Sequence, residues 1–403
     1  MLIKYQECLN GTKNFKINII FHRISDIMSS KNMYFWDDLS QVCWIMELSL
    51  HILYAGGTSL VASYLLLPLL VNILRRKNLL DQGGRRKIHQ GFIPSMGGIV
   101  IYMAFILAML VWIPREIIQE SRFIIAATSL MFFAGIRDDI VPLVPLHKLA
   151  VQTVSACMIV FLDTRISSLY GLFGIYELPL WISYILTVVF IIFVTNAFNL
   201  LDGLDGLSGS IACLSMGFMC FWLYLIGDIS HAMQLACMVG AILGFLYYNW
   251  QPASIFMGDT GSLVIGFLLS YSTVYFISCN GALPVDSVYK FPAVLSAGVA
   301  VVLFPVFDTL RVFVMRLRRG RSPFKPDKQH THHFVLRIKQ THAATVRLMI
   351  GAYILIAGSI LLLSKVLPDW ILLLITLAIC IGIDSALGRW VKKTYEHRRE
   401  TNV

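Results

Sequence analysis

Eleven stretches of this chain are apolar over roughly the length that crosses a bilayer, and short segments crowded with Asn, Asp and Gly separate several of them. A helix takes about 20 mostly apolar residues to span the hydrocarbon core. The stretches are 48–74, 97–114, 122–137, 149–163, 180–199, 208–227, 232–250, 261–279, 292–310, 345–365 and 368–388. In lipid each backbone N–H and C=O must find its partner inside the protein, so runs of this kind fold as helices. Only 14% of residues are charged and 57% are hydrophobic, whereas a soluble chain is about a quarter charged. The expected fold is therefore an all-α polytopic membrane protein with about 11 transmembrane helices. No internal repeat is visible, which gives a duplicated transporter architecture little support. The eight cysteines form no CxxC pair and mostly lie within apolar runs, as small core residues do.

Lys and Arg set the orientation. With the loop after the first stretch placed in the cytoplasm and the rest alternating, 23 of them fall on the cytoplasmic side. The opposite loops hold Arg115, Arg122, Arg165, Lys290 and Lys365, and the remaining five lie in residues 1–47. This positive-inside bias predicts an N terminus outside, a C terminus in the cytoplasm and an active site on the cytoplasmic face. The net charge of +10 thus reflects orientation, with a part in holding anionic substrates near that face, and gives no reason to invoke nucleic acid. Residues 1–45 read as an N-terminal extension, without the apolar core and cleavage site of a signal peptide. Met28 and Met33 are both candidate starts. Residues 46–390 read as a single transmembrane catalytic domain, and 391–403 as a basic cytoplasmic tail.

The unusual polar residues collect on that same face. "GIRDDI" puts Asp138 and Asp139 at the end of the third stretch, and "NLLDGLDG" puts Asn199, Asp202 and Asp205 at the end of the fifth. "NWQPASIFMGDTGS" carries Asn249 and Asp259 before the eighth, and "SPFKPDKQHTHHF" carries Asp327, His330, His332 and His333. Ionisable groups at the ends of membrane helices are costly to desolvate and need partners. Asp138 and Asp139 repel each other unless a cation lies close, and Lys148 can neutralise one of them. Asn196, Asn199 and Asp202 are spaced by three and share a broad helix face. Gly203 and Gly206 then end the helix and let the chain bring Asp205 back. For each cluster an ordinary solvated helix end or capped turn is the plainer reading. Four clusters converging on one face outweigh it.

Plentiful carboxylate and amide oxygens, with no Cys/His cluster of zinc spacing, favour Mg²⁺ or Mn²⁺. The three histidines lie among Arg318, Arg319, Arg321, Lys325 and Lys328, and read better as a phosphate clamp than as a zinc site. A metal that bridges phosphate oxygens together with cationic side chains is what phosphoryl transfer requires.

Five motifs carry a resemblance: "RKIHQGFIPSMGG", "GIRDD" with Lys148, "NAFNLLDGLDGLSG", "NWQPASIFMGDTGS" and "RGRSPFKPDKQHTHH", spanning residues 86–333. Each is weak alone; in this order the chain resembles the polyprenyl-phosphate N-acetylhexosamine-1-phosphate transferases. Thr331 interrupts the histidines, which makes the loop similar to the branch acting on N-acetylglucosamine rather than the peptidoglycan branch. The resemblance implies transfer of GlcNAc-1-phosphate from UDP-GlcNAc to undecaprenyl phosphate, yielding GlcNAc-diphospho-undecaprenol and UMP. It implies a bacterial inner-membrane enzyme acting at the first membrane step of O-antigen, enterobacterial common antigen or another envelope polysaccharide. Another UDP-N-acetylhexosamine or UDP-MurNAc-pentapeptide is the alternative substrate, and a membrane transporter the alternative class. By the same resemblance Asp138, Asp139 and Asp259 are catalytic, and Asn199 and Asp259 hold Mg²⁺. Lys148, Asn196, Asp202, Asp205, Phe256, His330, His332 and His333 are implied to bind substrate.

Overall fold

The computed structural model describes residues 35–76, 93–113, 118–320 and 341–401. Each apolar stretch is helical there, and 292–310 forms two helices. They are α1 (Phe35–Arg76), α2 (Gly98–Trp112), α3 (Ile118–Ile140), α4 (Pro145–Val160), α5 (Leu180–Leu201) and α6 (Leu207–Leu225). After them come α7 (Ile229–Asn249), α8 (Gly258–Ala282), α9 (Val294–Val301), α10 (Leu303–Arg318), α11 (His342–Leu363) and α12 (Asp369–Thr401). Among the described residues there is no strand, only isolated bridges between Ser95 and Phe256 and between Ser168 and Glu177. Among the described residues six helices are long and apolar enough to cross a membrane, α1 from Ser49, α5, α6, α7, α8 and α11, or seven if the bent pair α9 and α10 is one span. This is the architecture of a polytopic membrane protein.

α8 is the central helix. It packs against α2, α3, α5, α6 and α9, and nearly all of its side chains are buried. Phe105, Phe198, Phe245, Phe267 and Phe276 fill the space around it with no exposed surface. α1 and α11, by contrast, keep rows of Leu, Ile and Tyr on the outside, as lipid-facing helices do.

The stretch 292–310, expected as one span, is two helices that meet at 84°. Pro305 explains the break. Its nitrogen carries no hydrogen to give the carbonyl of Val301, and its ring crowds that carbonyl. The freed Val301 oxygen accepts instead from Ser215 Oγ at 2.7 Å and Tyr353 Oη at 2.9 Å. α6 and α11 thereby satisfy the backbone that the proline leaves open.

The first turn of α8 is crowded from two sides by backbone. A Cβ on Gly98 of α2 would lie 2.0 Å from Gly261 N, and one on Gly135 of α3 would lie 2.4 Å from Thr260 Cα. No side chain fits at either position, so both helices run directly against the turn that carries Asp259. The segment before α2 adds main-chain bonds. Phe256 N donates to Pro94 O at 2.9 Å, and Gly97 N and Gly98 N donate to Phe256 O and Met257 O, each at 2.9 Å.

Candidate active site

Four helix ends meet at one end of the bundle: the C-terminal ends of α3 and α5 and the N-terminal ends of α4 and α8. The side chains they bring together are polar. Lys148 Nζ stands 2.9 Å from Asp138 Oδ2 and 2.9 Å from Asp259 Oδ1, so one ammonium bridges two carboxylates. Asn199 Nδ2 donates to the same Asp259 oxygen at 2.5 Å and to Ser262 Oγ at 2.6 Å. Asp138 Oδ1 accepts the N–H of Leu143 at 2.6 Å, which fixes its carboxylate plane. Asp259 is the most open of the three charged groups, with 35% of its side chain exposed against 18% for Lys148 and 10% for Asp138.

Asp139 turns the other way. It accepts from Asp259 N at 2.7 Å, from Thr260 N at 3.0 Å and from Thr260 Oγ1 at 2.5 Å. These are orphan donors of the first turn of α8, so Asp139 acts as an N-cap supplied from another helix. Burial pushes its pKa above the ordinary carboxylate value. The bonds from Thr260 and from Asp259 N pull the other way, and the Asp259 charge adds to the rise. Lys148 is also buried, which alone would lower its pKa. The charges of Asp259 and Asp138 outweigh that and hold it above the ordinary lysine value. Asp139 and Lys148 lie just beyond the expected spans 122–137 and 149–163.

The remaining expected site residues are placed as follows. Asn196 pairs with Gln152 of α4. Asp202 ends α5 and accepts from Ser208 Oγ at 2.7 Å. Asp205 is buried in the turn that follows. That turn depends on Gly206, whose φ of +78° suits glycine alone among common residues. Its N–H donates to Asn249 Oδ1 at 2.8 Å, and Asn249 Nδ2 donates to Ile255 O at 2.8 Å. One buried amide thus ties the α5–α6 turn to the approach to α8. Phe256 is half-buried beside that approach. His330, His332, His333 and the segment Arg86–Phe92 lie outside the described residues.

Three partners were not anticipated: Ser262, Thr260 and Gln152. Each is three or four residues, or one, from an expected site residue. The helical spacing of Ser262 from Asp259 and of Gln152 from Lys148 was the available signal.

The arrangement suits a hard cation. Among the described residues no three His, Cys, Asp or Glu groups are placed to hold a metal ion. Mg²⁺ does not need three, since it keeps waters and commonly takes one or two carboxylates plus substrate phosphates. Asp259 offers an oxygen beyond the one used by Lys148 and Asn199. The Asn199 amide presents Oδ1 on the same side if it is turned over.

Comparisons with known proteins show what the chain is similar to. Residues 121–277, which hold Asp138, Asp139, Lys148, Asn199, Asp202, Asp205 and Asp259, match the model of glycosyl transferase family 4. Similarity to individual proteins runs further. The undecaprenyl-phosphate alpha-N-acetylglucosaminyl 1-phosphate transferase of Escherichia coli K12 is 29% identical over 361 residues, 85% of this chain and 95% of the relative. The protein of that name from Yersinia pestis is 28% identical over 338 residues, 80% of this chain and 90% of its own length. A probable undecaprenyl-phosphate N-acetylglucosaminyl 1-phosphate transferase of Bacillus subtilis is 29% identical over 306 residues, 74% and 81% of the two chains.

Proposed function

We propose that this chain transfers GlcNAc-1-phosphate from UDP-GlcNAc to undecaprenyl phosphate, releasing UMP. The observation that carries the reading is the ammonium of Lys148 bridging Asp138 and Asp259, with Asn199 on the same Asp259 oxygen. The names of the similar proteins give N-acetylglucosaminyl 1-phosphate as the group transferred and undecaprenyl phosphate as the acceptor. We further propose eleven spans, with α9 and α10 counted as one, an N terminus outside and the site at the cytoplasmic boundary of a bacterial inner membrane. There a lipid phosphate at the surface and a nucleotide sugar from the cytosol reach the same residues. The assignment to one envelope polysaccharide pathway is left to genetic context.

Direct attack fits the residues. An oxygen of the lipid phosphate forms a bond to the phosphorus that carries the sugar. The bond from that phosphorus to the bridging oxygen breaks, and UMP leaves with that oxygen. A phosphate monoester is already a competent nucleophile and needs only placement and charge neutralisation. Lys148 supplies a cation at the point where phosphates would meet. Asp138, bonded to Leu143 N and to Lys148, is better placed to orient that cation than to take a proton. Asp139 is occupied at the α8 N terminus, so it serves by placing Asp259. Bound Mg²⁺ or Mn²⁺, held by Asp259 and Asn199, would offset charge on the phosphate oxygens. His330, His332 and His333 would add donors for the pyrophosphate or sugar.

The test is a membrane assay with UDP-[³H]GlcNAc, undecaprenyl phosphate and Mg²⁺, run with and without EDTA. Metal-dependent label in the lipid phase with release of UMP is expected. Label only from another UDP-sugar would move the substrate assignment, and no label from any UDP-sugar in well-inserted protein would overturn the transferase reading.

A further inference from the structure

Within the seam between α4 and α5 sits a closed pair of amides. Asn196 Nδ2 donates to Gln152 Oε1 at 2.7 Å, and Gln152 Nε2 donates back to Asn196 Oδ1 at 3.1 Å. The second hydrogen of Asn196 Nδ2 goes to Ile192 O at 2.8 Å. Both hydrogens and the oxygen of Asn196 are therefore engaged inside the protein, and Gln152 is only 2% exposed. This accounts for Asn196 without a substrate contact.

Position gives the pair its significance. Gln152 is one helical turn after Lys148 on the same face of α4, and Asn196 is one turn before Asn199 on α5. Lys148 and Asn199 are the two donors that converge on Asp259 Oδ1, at 2.9 and 2.5 Å. The loop between the helices, 161 to 179, is tied to α5 at the end of the seam away from the site, where Ile166 N donates to Thr187 Oγ1 at 2.9 Å. Two opposed hydrogen bonds between planar amides fix both the rotation and the sliding of one helix against the other. Apolar side chains would pack the seam about as well but would not be directional.

We propose that Gln152 is a positioning residue: its pair with Asn196 sets α4 and α5 in the register that places Lys148 and Asn199 on one oxygen of Asp259. The proposal rests on the transferase reading of the site. A functional constellation has to be held within about 0.5 Å of its productive geometry, and a misplacement of about 1 Å costs on the order of 100-fold in rate.

The experiment compares four proteins in nanodiscs for kcat, for KM toward UDP-GlcNAc and for melting temperature. They are the wild type, Gln152→Leu, the double variant Gln152→Leu/Asn196→Leu, and the exchange Gln152→Asn/Asn196→Gln. In Gln152→Leu the Asn196 amide loses a partner, so melting temperature and kcat both fall, kcat by about 10- to 100-fold. The Leu/Leu variant leaves no unpaired amide and regains most of the melting temperature, while kcat stays low and KM moves less than about threefold. The exchange keeps the amide pair and the number of methylenes, and restores kcat. A Leu/Leu variant that turns over like the wild type would overturn the proposal, because the pair would then be packing alone. A wild type that labels no lipid with any UDP-sugar would overturn the transferase reading and the proposal with it, a result distinct from the first.

Discussion

Asp139 accepts the main-chain N–H of Asp259 at 2.7 Å across 120 residues of sequence. One carboxylate of the site is thus used to place another. The cap holds the first turn of α8, and that turn carries the group most open to a substrate or cation. The site is therefore two arrangements in one. Asp138, Lys148, Asn199 and Asp259 face inward to a common point, and Asp139 with Thr260 holds the frame from behind.

Asp259→Asn keeps the size of the side chain and removes its charge. Turnover is expected to fall by at least about 100-fold, the scale of one lost electrostatic contact in a dry site. Membrane insertion and elution as a single species should not change. Lipid labelling beside size-exclusion chromatography checks both, and full activity would sink the metal assignment.

Lys148→Met leaves Asp138 and Asp259 facing each other with no cation between them. Removing one partner of a largely buried ion pair costs about 3 kcal/mol, so the melting temperature should drop along with activity. Adding Asp138→Asn to Lys148→Met should recover much of the melting temperature and none of the activity, since the repulsion goes but the phosphate cation is still missing.

Gly98→Ala tests the frame without touching a charged group. Its Cβ would meet the Gly261 backbone at 2.0 Å, whereas a Cβ on Gly217 would meet nothing within 4 Å. Overpacking of that kind costs about 1–3 kcal/mol. Gly98→Ala should lower both melting temperature and kcat, and Gly217→Ala should change neither. The two variants are compared by thermal unfolding and the same lipid-labelling assay.

The opposite end of the bundle supplies a pH dependence. Asp228, in the turn between α6 and α7, accepts from His231 N and from Tyr275 Oη, and lies 3.0 Å from His231 Nδ1. Burial would raise its pKa, but the charge and bonds of His231 and the Tyr275 hydroxyl outweigh it, and the value lies below the ordinary 3.8. A depressed carboxylate contributes stability that is complete above its unfolded pKa and is lost as pH falls through the folded value. Asp228→Asn should therefore lower the melting temperature at neutral pH, with the gap to the wild type closing below about pH 4. Thermal unfolding of both proteins across that range is the check.

Much of this was legible in the sequence, and the limits have physical causes. Helix positions follow from apolar length, so α5 (Leu180–Leu201) matches the expected stretch 180–199 closely. The break after Val301 was not read, because the residues around it stay apolar and only Pro305 marks the lost hydrogen bond. Asp138, Lys148, Asn199 and Asp259 were all legible as polar residues at helix ends. The division of labour between Asp138 and Asp139 was not, since adjacent identical residues differ only in which neighbour each one meets. That neighbour is α8, brought close by Gly98 and Gly135. Gln152 was missed for a similar reason: one amide in an apolar helix has no meaning until Asn196 is seen opposite it.

The bridging position of Lys148 also bears on how such a chain is made. Asp138 and Lys148 lie on consecutive helices ten positions apart, so they can pair as soon as that hairpin enters the membrane. Asn199 follows with α5, while Asp259 is not synthesised until three more turns of chain direction have been completed. During that interval the lysine already neutralises the first carboxylate, and its remaining hydrogens stay directed at a place no residue yet fills. The last ligand to arrive is the most exposed one, and it arrives on the helix that every earlier wall of the site was shaped to receive. An insertion intermediate ending before α8 would thus carry half of the charge network, with Lys148 paired to Asp138 alone.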